Sequence, residues 1–284
     1  TNLVEVAVGQ YYAPLGQSNG ELAARSRSMH KSQGFGSLSN REQETEYLEL
    51  ILGAMPGDKS NLFEGIPRDW SRLGLDNGHK IVRQMGQILQ DFDFKNPHNN
   101  ALGLLEVLNE LKNLPESLLK DPKIKSLTQI IVQCLGLYVS AESSLPYATP
   151  KDEVMARVEI TNRSHKPISL HRVYSDQLYF FENTQPTVID ALATKNIESL
   201  EAPLKSTDLS TPYWLKNPAD PGKFNVSDVA LIGAPFGPEP VLVTLEFTFK
   251  GYNFTLNTPM FYKYRDRVDG EVYDPFVILP ALTL

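Results

Sequence analysis

Between Val241 and Phe249 every second residue is apolar: Val241, Val243, Leu245, Phe247 and Phe249 share one side of an extended chain, and Thr244, Glu246, Thr248 and Lys250 share the other. Successive side chains of a strand point to opposite faces, so this run specifies a strand with one face in a core and one in water. Lys250-Gly251-Tyr252 turns the chain back into Phe254 and Leu256, which predicts a hairpin. Val154, Ala156, Val158 and Ile160 alternate in the same way, and turn clusters such as Asn217-Pro218-Ala219-Asp220-Pro221-Gly222 separate further short segments. Residues 146–284 are therefore expected to form an antiparallel β-sandwich of the immunoglobulin-like kind.

The period changes upstream. Over residues 74–145 apolar residues recur at three- and four-residue spacing: Ile81, Met85, Ile88, Leu89 and Phe92; then Leu104, Leu105, Leu108 and Leu111; then Leu127, Ile130, Ile131, Cys134, Leu135 and Tyr138. That spacing predicts amphipathic helices, broken at Asn96-Pro97 and Asp121-Pro122, packed as a three-helix antiparallel bundle. Residues 1–73 are mixed. Leu3, Glu5, Val6 and Val8 lie in a short alternating strand, and Ser18 or Asn19 can cap a helix with Glu21 in its first turn, running towards Gly34. Glu46–Gly53 reads as a second strand, and Trp70 as a packing anchor in the irregular stretch that follows. The chain is thus expected to be an α+β multidomain protein.

Composition removes several function classes. A formal charge of -7 with acidic and basic residues intermixed argues against a nucleic-acid partner and leaves no polybasic membrane patch. No run approaches the length of a membrane-spanning helix. The opening residues lack the pattern of a secretory signal and begin with Thr1, which points to a processed or excised piece. The single cysteine, Cys134, lies in an apolar-periodic stretch and reads as a small buried hydrophobe; one cysteine builds no disulfide framework. Asn162, Asn225 and Asn253 each open an Asn-x-Ser/Thr sequon, of consequence only in a eukaryotic secretory pathway.

Chemistry is sparse. The histidines, His30, His79, His98, His165 and His171, are isolated in sequence, with none of the close spacings that hold zinc. No Gly-x-Ser-x-Gly elbow is present. Gly34-Phe35-Gly36 follows a helix instead of joining a strand to one, so it is no phosphate loop. His30 and Gln33 can brace a helix end through local hydrogen bonds. Tyr213 and Trp214 suit either a sugar-stacking surface or a sandwich core.

Two stretches carry a resemblance. Leu15-Gly16-Gln17-Ser18-Asn19-Gly20-Glu21-Leu22, running through His30-Lys31-Ser32-Gln33 to Gly34-Phe35-Gly36, resembles the last helix of the LmbE/PIG-L deacetylase domain in its large bacterial members, where an HxSQ motif is followed by Gly-Phe-Gly. Tyr213-Trp214-Leu215, Ala230-Leu231-Ile232-Gly233, Tyr262-Lys263-Tyr264 and Gly270-Glu271-Val272-Tyr273 look like the β-domain attached to those proteins, and Asn162-Arg163-Ser164 fits its opening strands. The resemblance implies that residues 1–73 are the residual edge of a Rossmann-like α/β catalytic domain, followed by the helical region and the sandwich. The family hydrolyses N-acetyl groups of N-acetylglucosamine-type sugars with a zinc-activated water. Its metal ligands come from an HPDDE-type motif and a later histidine motif, and this sequence has neither. Zinc is therefore expected in the parent enzyme and not in this chain alone, which is expected to be inactive. By the same resemblance, His30 lines the pocket or orients a metal ligand, while Ser32, Gln33 and Arg27 contact the substrate. Arg25 and Arg27 lie on different helix faces, so one of them is expected to face that pocket. The implied partners are an upstream catalytic domain and an N-acetylated sugar, in a periplasmic or extracellular parent. The alternative is a non-catalytic module that binds glycan or protein.

Overall fold

The structure, a computed structural model, describes residues 2–66, 76–117, 119–180, 185–205 and 208–281. Trp70 lies outside them. The chain divides into two units, Thr1–Arg72 and Leu73–Leu284.

In the first unit β1 (Leu3–Ala7), β2 (Tyr11–Tyr12) and β3 (Gln17–Ser18) precede helix α1 (Asn19–Ser28), and β4 (Thr45–Glu49) follows. β1 and β4 pair antiparallel, Leu3 opposite Glu49 and Ala7 opposite Thr45, while β2 and β3 form a minimal hairpin. Ser18 closes the expected cap. Its Oγ accepts from the Glu21 N–H at 3.2 Å, and the Glu21 carboxylate accepts from the Ser18 N–H at 3.0 Å, a reciprocal capping box. The helix stops at Ser28, earlier than its periodicity implied, and Lys31–Gln33 form a 3-10 turn before Gly34. The unit has little interior. Val4 is the one buried residue of β1, Ala24 the one of α1, and every residue of β4 is exposed.

The second unit begins with α2 (Asp76–Gln90), α3 (Ala101–Lys112) and α4 (Lys120–Cys134). α3 carries Leu104, Leu105, Val107, Leu108 and Leu111, all buried, between α2, α4 and the sheet. Leu89, counted into the stripe of α2 by its spacing, points to solvent, whereas Ile81 is buried. Cys134 is buried at the end of α4, where desolvation raises its thiol pKa. Helix periodicity fits the sequence through Tyr138, yet Tyr138 belongs to a strand. Gly136 takes φ 59°, a left-handed conformation that ends the helix at little cost only for a residue without Cβ.

β5 (Leu137–Ser143), β6 (Tyr147–Ala148), β7 (Glu153–Val154), β8 (Ala156–Asn162), β9 (Ile168–Tyr174), β10 (Thr187–Ile189), β11 (Ala193–Glu198), β12 (Ala202–Pro203), β13 (Leu242–Phe249), β14 (Tyr252–Asp266), β15 (Gly270–Pro275) and β16 (Val277–Ile278) follow. An eight-stranded sheet runs β10-β9-β13-β14-β5-β8-β11, with β15 on the far half of β14. Its end strands β10 and β11 meet across the turn 190–192, so the sheet is nearly closed on itself. Pairings within it are antiparallel except β14 with β5, where Met260 lies beside Ala141 and Phe261 beside Glu142. The expected alternation holds: Ala156, Val158 and Ile160 face inward with Val243, Leu245, Phe247 and Phe249, and Phe247 stacks on Phe254 at 5.3 Å. The hairpin between β13 and β14 turns on Lys250 and Gly251, both at positive φ (52° and 87°). The unit is a mixed α+β structure with its own core. Among the described residues no helix is long and apolar enough to cross a membrane.

Candidate functional site

The residues implied by the resemblance come together in part, at the C-terminal end of α1. The His30 and Arg27 side chains both approach Phe35, brought back towards the helix by Gly34 at φ 68°. The His30 and Phe35 rings meet edge to face, 6.2 Å apart, and the Arg27 guanidinium carbon stands 5.6 Å from the centre of the same ring. The Phe35 ring is itself about half exposed, and Arg27, His30, Ser32 and Gln33 are all on the surface. Backbone hydrogen bonds hold the turn: the His30 N–H donates to the Arg27 carbonyl and the Gln33 N–H to the His30 carbonyl, each 3.1 Å. The Ser37 N–H adds a bond to Ser28 Oγ at 3.2 Å. The His30 side chain makes no capping hydrogen bond to this turn, so the bracing role available to it from sequence falls to the backbone.

Arg25 and Arg27 separate as their helical positions require. Arg25 turns back to the start of the helix and donates to Gln17 Oε1 at 3.0 Å, which leaves Arg27 with His30. At the other helix end the Ser18 N–H, followed by Arg41 at 2.9 Å, holds the Glu21 carboxyl below its usual pKa. The outcome is an exposed guanidinium and an imidazole flanking one aromatic ring, groups whose chemistry allows cation–π contact and hydrogen bonding. Phe35 lies within the motif, and its position depends on the backbone reversal at Gly34, which no spacing rule encodes.

No metal centre arises from these residues. Among the described residues no group of three or more His, Cys, Asp or Glu side chains could hold an ion. The histidines are less isolated in space than in sequence: His98 and His165 bring their rings within 5.7 Å, edge to face. His171 Nε2 shares a 2.6 Å hydrogen bond with Thr248 Oγ1 on the outer face of the sheet. Tyr213 is 8% exposed and its hydroxyl donates to the Ala234 carbonyl at 3.1 Å, with Trp214 edge-on to it at 4.9 Å. Tyr213 thus anchors a long loop from inside and is no stacking platform. Of the three sequon asparagines, Asn162 is fully buried and closed to modification, while Asn225 and Asn253 lie nearer the surface.

No family model matches the chain, and no curated protein matches it. Among solved structures it is similar to the alkylpurine DNA glycosylase AlkC of Pseudomonas fluorescens, bound to DNA containing an abasic site analogue, at 8% identity and a TM-score of 0.21. The similarity covers 62% of this chain and 50% of that structure's length, so the chain spans about half of it.

Proposed function

We propose that this chain is the C-terminal part of a zinc-dependent deacetylase acting on N-acetylglucosamine-type sugars, with the metal ligands supplied by an upstream catalytic domain. The observation that carries the reading is the near-absence of an interior in residues 2–66. Tyr47, Leu48 and Phe63 are exposed, and Leu38, Ile51 and Leu52 are exposed by more than nine-tenths. A two-stranded sheet and one helix cannot bury such a set between them, and apolar residues left exposed in such number call for a further element to cover them. On this reading β1, β4 and α1 are the residual edge of a Rossmann-like α/β domain that covers them. α2, α3 and α4 are the linking helical bundle, and the sheet of the second unit is the appended immunoglobulin-like sandwich. Arg27, His30 and Phe35 then stand at the margin of the pocket, with Ser32 and Gln33 beside them. His30 contacts substrate or orients a ligand of the upstream zinc, which activates water when bound.

The test compares this chain with a form extended upstream, for zinc content and for hydrolysis of N-acetylglucosamine derivatives. Stoichiometric zinc and chelator-sensitive turnover are expected in the extended form alone. Turnover by this chain that a chelator abolishes would sink the proposal, as would an extended form that binds no zinc.

A further inference from the structure

Residues 208–240 connect β12 to β13 with no regular element beyond the 3-10 turns Tyr213–Leu215 and Val229–Leu231. Loops of this length inside a compact unit are held for a function or are unstructured. This one is pinned by two side-chain amides. Asn217 Nδ2 donates to the Asn225 carbonyl at 2.9 Å and to Ser227 Oγ at 2.7 Å. Asn225 Nδ2 donates to the Pro218 carbonyl at 2.9 Å and to Asp220 Oδ2 at 3.1 Å.

That pattern decides what is left over. Each amide has committed its N–H donors, so Asn217 and Asn225 both present their Oδ1 as an acceptor. Ser227 Oγ already accepts from Asn217 and keeps its own proton to donate. Lys223 carries an ammonium with no ion pair among the described residues. These groups line an open cleft of about 320 Å³ together with Phe224 and Ile232, residues that are 55% and 64% exposed. The volume sits at the low end of small-ligand sites.

Ligand classes separate on this chemistry. A phosphate or carboxylate would want several cations, and the cleft lining supplies one, Lys223. A purely aliphatic ligand would strip water from the amide oxygens, hydroxyl and ammonium with nothing to replace it. A pyranose meets every group: hydroxyls that both donate and accept, and a C–H face for the Phe224 ring. We propose that this cleft is a saccharide-binding site that seats one or two sugar units of a neutral oligosaccharide, with Phe224 as the stacking platform. The site lies wholly in the second unit and requires neither zinc nor the deacetylase reading.

The experiment is ligand-observed saturation-transfer NMR followed by calorimetric titration of the full chain with chitotetraose and with cellotetraose. Saturable binding of at least one tetrasaccharide is expected, weakened about fivefold to tenfold by Phe224→Ala through loss of the ring contact. Phe236→Ala, at a still more exposed phenylalanine of the same loop outside the cleft lining, should leave affinity unchanged and serves as the control. Both variants should melt with the parent, because neither ring is in the core. No saturable binding of either sugar at millimolar concentration overturns the proposal, and so does equal weakening by the two substitutions. Neither arm involves zinc or hydrolysis, so failure here is separable from failure of the deacetylase reading.

Discussion

Asn162 offers the sharpest test of how the second unit is held together. It ends β8 with no exposed surface, and its side chain joins three separate stretches of backbone. Nδ2 donates to the carbonyls of Lys166 (2.8 Å), Ile189 (3.2 Å) and Asp190 (3.0 Å), while Oδ1 accepts from the N–H (3.0 Å) and Oγ (2.8 Å) of Ser164. The turn after β8 and the junction of β10 with β11 are thus tied at one amide. In Asn162→Ala the Lys166 carbonyl keeps a bond from Ser164 Oγ at 2.9 Å. The Asp190 carbonyl keeps the Ala193 N–H at 3.3 Å, whereas the Ser164 N–H and the Ile189 carbonyl, both buried, lose their side-chain partner. At about 1–1.5 kcal/mol for each buried polar group so deprived, the variant should lose about 2–3 kcal/mol. That is a large share of the stability of a domain this size. Asn162→Asp keeps the shape but aims a carboxylate at three carbonyl oxygens, which disfavours the charged form and raises the folded-state pKa above the unfolded value of about 3.9. An acid with a raised folded pKa leaves stability intact below the unfolded pKa and loses it as pH rises towards the folded one. The Asp variant should therefore approach the parent near pH 4 and weaken steadily above it, whereas the Ala variant keeps a constant deficit. Urea denaturation followed by circular dichroism, at several pH values, reads both effects as shifts in midpoint at constant slope. A deficit below about 1 kcal/mol for Asn162→Ala would refute the reasoning, because the hydrogen bonds would then be replaceable by water.

Ser18→Ala should remove the capping box and fray the first turn of α1 by about 1 kcal/mol, seen as roughly fivefold faster hydrogen exchange at the Glu21 amide; unchanged protection there would deny the cap its role. Lys263 donates to Glu142 at 2.6 Å, and that hydrogen bond raises its pKa above 10.5. For a cation with a raised folded pKa, the stabilisation is complete below the unfolded value and disappears as pH climbs through the folded one. Thermal melts of the parent should fall more steeply than those of Lys263→Gln above about pH 10.5, and parallel curves for the two proteins would contradict the pairing.

What the sequence made legible was local. The alternation of Val243, Leu245 and Phe247 placed all three in the core, and Ser18 with Glu21 marked the start of α1, because both features act over a few residues of chain. The apolar spacing from Leu127 to Tyr138 fits a helix continued too far, since Leu135 and Leu137 are buried whether the chain is coiled or extended, and only the reversal at Gly136 decides. Pairings that depend on distant segments were out of reach. The parallel contact of β14 with β5, the approach of His98 to His165, and the amide-pinned cleft around Phe224 all bring together residues with no shared local pattern. At the end of α1 the motif named His30, Ser32 and Gln33, but that Phe35 stands between His30 and Arg27 follows from the fold alone.

The place of β14 in the sheet bears on how the protein is made. Its first half pairs with β13, and its second half with both β15 and the much earlier β5. A ribosome releases β5 and β8 well before Met260 and Phe261, so those two strands can zip into a hairpin yet must wait for the strand that seats beside them. Pairing across such a separation carries a large loop-closure cost and slows folding. During that interval the outer edge of β5 is open to any other nascent strand nearby, which makes the delay before β14 emerges the period in which a chaperone has most to protect.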